Sequence, residues 1–346
     1  VILILFNIVS FLFFLLWINC CITFSNSYLV YYETFFHSIF SDILRVSVLF
    51  LCFTFFLFTK DFTKQLQLFN YEYILFVMLS ILGLLLLCFS NDIVSLYISL
   101  EIQTLGCYTL AAYFFSSQYS VESGIKYFTV GSIASSFLLF GFFILYFSFG
   151  FFTIDSIFLI NSFNSYFIIS YLFILFALLL KLGLFPFHQW LCDVYEGCLT
   201  TITLFFSTIP KIILLSLFIR LSYVVFFDFS YSSYMILVLF SLLSIAFPSI
   251  IALYQKRFKR LLAYSSISHV GFIVLAVSLL SLDSLKSSLL YLLIYLTLSF
   301  TFFSLLLVTS TKNIFFKYLL NWTSMAIVSF SSSFGFLILL LSTAGI

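Results

Sequence analysis

Residues Thr200–Leu221 read TTITLFFSTIPKIILLSLFIRL. A helix of this length rises roughly 30 Å, the thickness of a bilayer's hydrocarbon core. Before Arg220 the only ionisable side chain in the stretch is Lys211, which has about ten residues of apolar chain on either side. A lysine near a helix end can snorkel to the interface, but one at mid-span reaches it poorly. A charge at the bilayer centre costs about 2.5–3.5 kcal/mol even on the lenient insertion scale. The stretch therefore reads as a membrane span that carries a charge for a reason. Two reasons compete: a structural ion pair between helices, and a buried charge pathway.

The rest of the chain has the same character. Of 346 residues, 64% are apolar and 8% are charged, far below the roughly 25% charged residues of ordinary soluble domains. Mean hydropathy is +1.26. A soluble fold cannot hide so much apolar surface, and disordered chains are polar and charged. A net charge of +2 leaves no electrostatic footprint for nucleic acid. Apolar runs separated by polar breaks lie near 1–24, 44–59, 72–89, 93–115, 127–152, 166–187, 200–224, 232–254, 259–281, 287–310 and 323–345. The expectation is an all-α, polytopic membrane helix bundle of about eleven spans, forming a single transmembrane domain over 1–346 with two or more broken helices. The excess of Phe (53) and Tyr (22) over Gly (11) and Pro (3) is more than a bilayer demands. It suggests codon bias in an AT-rich genome, and so an organelle.

Connections must alternate across the membrane. One set holds Lys60, Asp61, Lys64, Glu122, Lys126, Asp193, Glu196, the run QKRFKR at Gln255–Arg260, Lys312 and Lys317, and is net basic. The other holds Glu33, Asp42, Arg45, Asp92, Asp155, Arg220, Asp228, Asp283 and Lys286, and is net acidic. The basic set should face the cytoplasm or matrix, with QKRFKR as a topology anchor and an anionic-lipid contact as the lesser reading.

Two more ionisable residues fall inside spans: Glu101 in VSLYISLEIQTLGCYTLAAYFF and Lys181 after FILFALLL. Burial disfavours a charged lysine and a nearby carboxylate favours it. A Lys whose distance to a Glu can change is thus a proton site of adjustable affinity, and Glu101, Lys181 and Lys211 would form a line of such stations. Pro210, just before Lys211, suggests a broken helix lining a hydrated cavity; a plain packing kink is the alternative. His188 lies seven residues after Lys181, roughly on the same helical face, and reads more readily as a structural hydrogen bond. His269, among serines in AYSSISHVGF, leans toward a relay. Nothing matches G-x-G-x-x-G, a P-loop, H-E-x-x-H or an iron–sulfur cysteine cluster. The seven cysteines form no C-x-x-C pair and read as apolar filler.

Four segments carry a resemblance. KLGLFPFHQWLCDVYEG (Lys181–Gly197), SVESGIKYF (Ser120–Phe128), STIPKI (Ser207–Ile212) and KRLLAYSSISHVGF (Lys259–Phe272) resemble the antiporter-like subunit 2 family of NADH:ubiquinone oxidoreductase, respiratory complex I. Subunits 2, 4 and 5 share K-x-G-x-x-P-F-H; DVYEG and SSISHVG resemble subunit 2. The resemblance covers about 100–345 and implies an antiporter-like fold. It makes Glu101 the membrane glutamate paired with Lys181, places Lys181 on the first broken helix, and makes Lys211 the central lysine of a proton path. It sets His188 and His269 along the hydrated axis. It puts Glu122 and Lys126 in a motif by the matrix-side loop, where a solvated helix start is as good a reading.

Cys192 stands where the family usually has Pro, and Cys198–Leu199 where it has Ala-Pro. FLILLLSTAGI, at the end, matches the family just before its second broken helix and exit lysine. The expectation is a split subunit, with a second polypeptide supplying that lysine and the helices after it. The resemblance further implies a proton-translocating subunit of the mitochondrial inner membrane. Its partners would be the other membrane-arm subunits, especially 4 and 4L, and membrane lipid. It would hold no cofactor itself: NADH, FMN, iron–sulfur clusters and ubiquinone would sit on other subunits. The alternatives are a subunit of a multi-subunit cation/proton antiporter and a structural spacer of the membrane arm.

Overall fold

In the computed structural model, residues 2–22, 28–30, 34–65, 71–158, 165–310 and 330–343 are described. Helices dominate: α1 (Ile2–Ile22), α2 (Ile39–Gln65), α3 (Tyr71–Phe89), α4 (Ile93–Ala111), α5 (Gln118–Phe149), α6 (Ile154–Phe158), α7 (Ser165–Leu182) and α8 (Gln189–Gly197). They continue with α9 (Thr200–Arg220), α10 (Phe227–Leu253), α11 (Phe258–Ser278), α12 (Leu282–Ser310) and α13 (Phe330–Thr343). Among the described residues, nine helices are long and apolar enough to cross a membrane, and Tyr166–Leu182 is a shorter apolar one. Each expected span coincides with a helix, though the last, 323–345, is described only over Phe330–Thr343.

Two differences have local causes. The span expected at 127–152 begins earlier, because Ser117 Oγ accepts from the Ser120 N–H and caps α5 there. Glu122 and Lys126 are thereby helical, not loop, residues. A short antiparallel hairpin, β1 (Tyr28–Val30) with β2 (Phe35–His37), was not foreseen.

α1 with α2, α3 with α4, α5 with α7, and α10 with α11 pack as neighbours. At Gly83 of α3 a Cβ would meet the Gln103 backbone N of α4 at 2.5 Å, so glycine permits that close approach. α9 takes the centre, against α2, α3, α7 and α12. Every residue from Thr201 to Ile219 is buried, as expected of a helix that is apolar all round. The outer surfaces expose Phe11, Phe143, Phe147 and Leu239, which suits contact with lipid or apolar partner helices.

The expected break at Pro210 does not occur. α9 runs as an α-helix through Pro210 and ends in a π-helical turn, Leu221–Val225. The carbonyl that Pro210 leaves without a helical donor is that of Phe206, and, one residue on, the Tyr295 hydroxyl donates to the Ser207 carbonyl at 3.2 Å. The break falls at Gly183–His188, between α7 and α8. Gly183 takes φ +70°, where a Cβ would also meet Leu191 Cδ1 at 2.7 Å. The Leu184 N–H bonds to the Leu179 carbonyl (3.0 Å) and the Gly183 N–H to the Leu180 carbonyl (3.2 Å). This is a Schellman stop, and it ends α7 one residue past Lys181.

Candidate functional site at the buried lysines

Lys211 sits mid-way along the central helix and is 4% exposed. Its Nζ donates to Ser266 Oγ on α11 (2.9 Å) and to Tyr295 Oη on α12 (3.1 Å). The ammonium also lies 5.4 Å from the ring centre of Tyr195, on α8, and 5.5 Å from that of Tyr295. Both distances are within cation–π range. Among the described residues no carboxylate lies within ion-pair distance of it. A cavity of about 20 Å³ adjoins the cage, lined by Ser207, Ser265, Ser266, His269, Tyr295 and Ser299 among others. That is large enough for about one water, with the hydroxyls and His269 set in a lining that also includes Leu262, Leu298, Phe302 and Phe303.

His269 Nδ1 is 2.8 Å from Tyr291 Oη, one turn before Tyr295 on α12. The His269 ring lies 5.7 Å from that of Tyr295. Lys211, His269 and the two tyrosines thus form one cluster, of which His269 and Tyr295 line the cavity. Ser266, Tyr291, Tyr295 and Tyr195 were not singled out from sequence. A usable signal existed for α12: Tyr291 and Tyr295, four apart, put two hydroxyls on one face of an expected span.

Lys181 lies at the end of α7, half-buried, and makes no hydrogen bond or ion pair among the described residues. Glu101 on α4 is within electrostatic reach of it, but no 4 Å ion pair joins the two. One Glu101 carboxylate oxygen, Oε1, is buried without a hydrogen-bond partner. His188 is buried in the break, its ring 5.7 Å from Phe185 and 6.3 Å from Tyr264. Because α7 stops at Leu182, helical spacing no longer relates His188 to Lys181, and the expected shared face is corrected.

The loop charges also find partners. Lys126 on α5 pairs with Glu122 and with Asp193 of α8, both at 2.6 Å. Arg260 of α11 pairs with Asp193 (3.0 Å) and Glu196, and Arg257 pairs with Glu196. Lys259 donates to the Cys198 carbonyl at 2.5 Å. Arg257, Lys259 and Arg260 of QKRFKR therefore clamp α8, and Glu122 and Lys126, both partly exposed near the start of α5, are a solvated helix start that is also ion-paired. At the other end, Arg220 reaches the Ser90 carbonyl (2.5 Å) and Asn91 Oδ1 (3.0 Å), while Asn91 Nδ2 donates to Asp155 (3.1 Å). Asp42 there pairs with Arg45 at 3.0 Å. Among the described residues, members of each loop set thus meet one another: Lys126, Asp193, Glu196, Arg257 and Arg260 in one cluster, Arg220 and Asp155 about Asn91 in another.

Residues 90–346 match the family described as NADH:quinone oxidoreductase/Mrp antiporter, TM. The chain belongs to this family. It is a multi-pass membrane protein of the NADH:quinone oxidoreductase/Mrp antiporter kind. NADH-quinone oxidoreductase subunit N of Pelagibacter ubique is 36% identical over 284 residues, covering 82% of this chain and 60% of the relative. The chain spans between about half and three fifths of the length of the curated relatives it matches. Among solved structures, a chain of respiratory complex I from Thermus thermophilus superposes with TM-score 0.77 at 23% identity, over all of this chain and 79% of that one. A chain of the Mrp complex from Dietzia sp. gives TM-score 0.71 at 21% identity, over 80% and 52%. These likenesses bear out the all-α membrane bundle with an antiporter-like fold.

Proposed function

We propose that this chain is a proton-translocating membrane-arm subunit of an NADH:quinone oxidoreductase, the counterpart of subunit N and of mitochondrial subunit 2. Protons pass through a polar axis in which Glu101 and Lys181 form one station and Lys211 the next, with His188 and His269 along it. The observation that carries the reading is the Lys211 centre: a lysine buried on the central helix, held by neutral hydroxyls and rings beside a water-sized cavity. A lysine placed only to bind helices together would be expected to face a carboxylate, and Lys211 faces none among the described residues.

The chain binds no redox cofactor in this reading; NADH, FMN, iron–sulfur clusters and ubiquinone belong to other subunits. Its partners are the neighbouring membrane-arm subunits, 4 and 4L among them, and lipid. The composition favours an organelle genome and hence the mitochondrial inner membrane, although the relatives compared are bacterial. Isolation of the chain with its native partners tests the proposal. The expected preparation oxidises NADH with quinone and moves protons into vesicles. A preparation that lacks quinone reductase and exchanges cations for protons supports the second reading, an Mrp-type antiporter subunit, which the Dietzia likeness favours.

A further inference from the structure

We propose that Tyr195 is a positioning residue for Lys211: its ring face holds the protonated ammonium, and the ion clamp on α8 keeps that ring in place. The inference rests on the function proposed above and assigns a role to a residue outside the Glu/Lys/His axis.

The first argument is an inventory of donors and acceptors. An ammonium has three N–H donors. Two are taken by Ser266 and Tyr295, at 2.9 and 3.1 Å. Without a carboxylate in range, the rings of Tyr195 and Tyr295 are the remaining electron-rich groups facing the charge. Tyr295 is already committed through its hydroxyl, which accepts from Lys211 and donates to the Ser207 carbonyl. Tyr195 is different. It is 2% exposed, and its own hydroxyl has no hydrogen-bond partner. A buried, unpaired hydroxyl is a cost, so what the side chain contributes at this place is its ring.

The second argument concerns what holds the ring there. α8 has nine residues and follows the break at Gly183–His188, so no continuous helix fixes its orientation. Its outer face carries Asp193 and Glu196, one turn apart, which pair with Lys126 of α5 and with Arg257 and Arg260 of α11. Its end is held by Lys259 on the Cys198 carbonyl. Tyr195 lies between those two carboxylates in sequence and turns inward to Lys211. The same broken helix carries Lys181 just before the break and Tyr195 beyond it. A shift of α8 relative to α7 is therefore felt at Lys211 as a change in ring contact.

The test uses the assembled complex in proteoliposomes and reads proton transport alongside quinone reduction. The variants are Tyr195→Leu, Tyr195→Phe, a series of phenylalanines at 195 carrying one to three ring fluorines, and Asp193→Asn with Glu196→Gln. Removing the ring should slow proton transport about fivefold, in the lower part of the range for one cation–π contact. Tyr195→Phe should lose far less than Tyr195→Leu. Transport should fall stepwise with fluorination, which weakens the ring's negative face at nearly constant shape, so a leucine variant that fails to assemble leaves this arm intact. The clamp variant should slow transport in the same direction, and less than additively with Tyr195→Leu. A flat fluorine series, or a phenylalanine that loses as much as leucine, overturns the inference. Lys211→Met separates the two claims. Full transport in Lys211→Met sinks the proposed function; loss there with a flat fluorine series sinks only the role of Tyr195.

Discussion

Lys181 and Lys211 are both lysines in apolar helices, yet their surroundings are opposite. Lys181 ends a helix, is half-buried, makes no hydrogen bond among the described residues, and has a carboxylate within electrostatic reach. Lys211 lies mid-helix, is wholly buried, and is held by two hydroxyls and two ring faces, with no carboxylate in ion-pair range among the described residues. The first has a carboxylate nearby but no direct contact with it; the second has a tight cage of neutral groups. In the proposed function this divides the labour. The charge state of Lys181 answers to Glu101 across a gap that the helix break leaves adjustable, while Lys211 offers a fixed station whose preference is set by packing.

The largest effect should come from the fixed station. Lys211→Met keeps the length of the side chain and removes the titrating group. Ser266 Oγ still donates to the Ala263 carbonyl (2.7 Å) and Tyr295 to the Ser207 carbonyl (3.2 Å), so neither is orphaned and the bundle should assemble. Proton transport should fall about a hundredfold, the lower range for losing one positioned proton-transfer group. Quinone reduction measured with an uncoupler present should survive.

Next come the partners at the adjustable station. Lys181→Met or Glu101→Gln removes one end of a through-space interaction and no hydrogen bond seen in the fold. NADH oxidation should persist in an assembled complex, with proton transport down roughly tenfold, the equivalent of about 1.4 kcal/mol. The double variant should be no worse than the poorer single one, because each removes the same interaction. Additive losses in the cycle would separate Glu101 from Lys181 and dissolve the contrast drawn above.

The two stations also differ in how much the sequence discloses. The spans were legible because a bilayer enforces length and apolarity. Glu101, Lys181 and Lys211 were legible because a charge in an apolar run has no background to hide in. The cage of Lys211 had none of that contrast: Tyr195 and Tyr295 are two of 22 tyrosines, and their meeting with Lys211 is a fact of packing. The clamp was half legible. Its charges sorted to one side of the membrane, but Arg260 meets Asp193 across 67 positions of chain. Pro210 misled, since a missing N–H costs one bond, at the Phe206 carbonyl, and the fully buried helix continues through it. The true break was written in Gly183 and Pro186, a helix stop followed by proline.

A smaller effect should follow at His269. Its hydrogen bond to Tyr291 is 2.8 Å, and its ring lines the cavity that Ser266 and Tyr295, the two partners of Lys211, also line. His269→Gln keeps a hydrogen-bonding group but not a titrating one. Transport should drop about threefold, near the worth of one hydrogen bond, and Tyr291→Phe should match it. A loss in His269→Gln as large as in Lys211→Met would make the histidine a station in its own right.

The smallest effect should come from the exposed clamp, and it sharpens what burial does. Lys126 is 39% exposed and pairs with Glu122 and Asp193 at 2.6 Å. Exposed ion pairs contribute less than about 1 kcal/mol each, because water screens them and two long side chains must be ordered. Lys126→Met should therefore lower thermal stability only slightly. Near 1 M salt the screening length falls to about 3 Å, and the variant should then be indistinguishable from the parent. Lys211→Met should show the same transport defect at low and high salt, since no mobile ion reaches a cage closed by Ser266, Tyr295 and Tyr195. A salt-sensitive Lys211 defect would mean that the central lysine works through the surface charges and not through its cage.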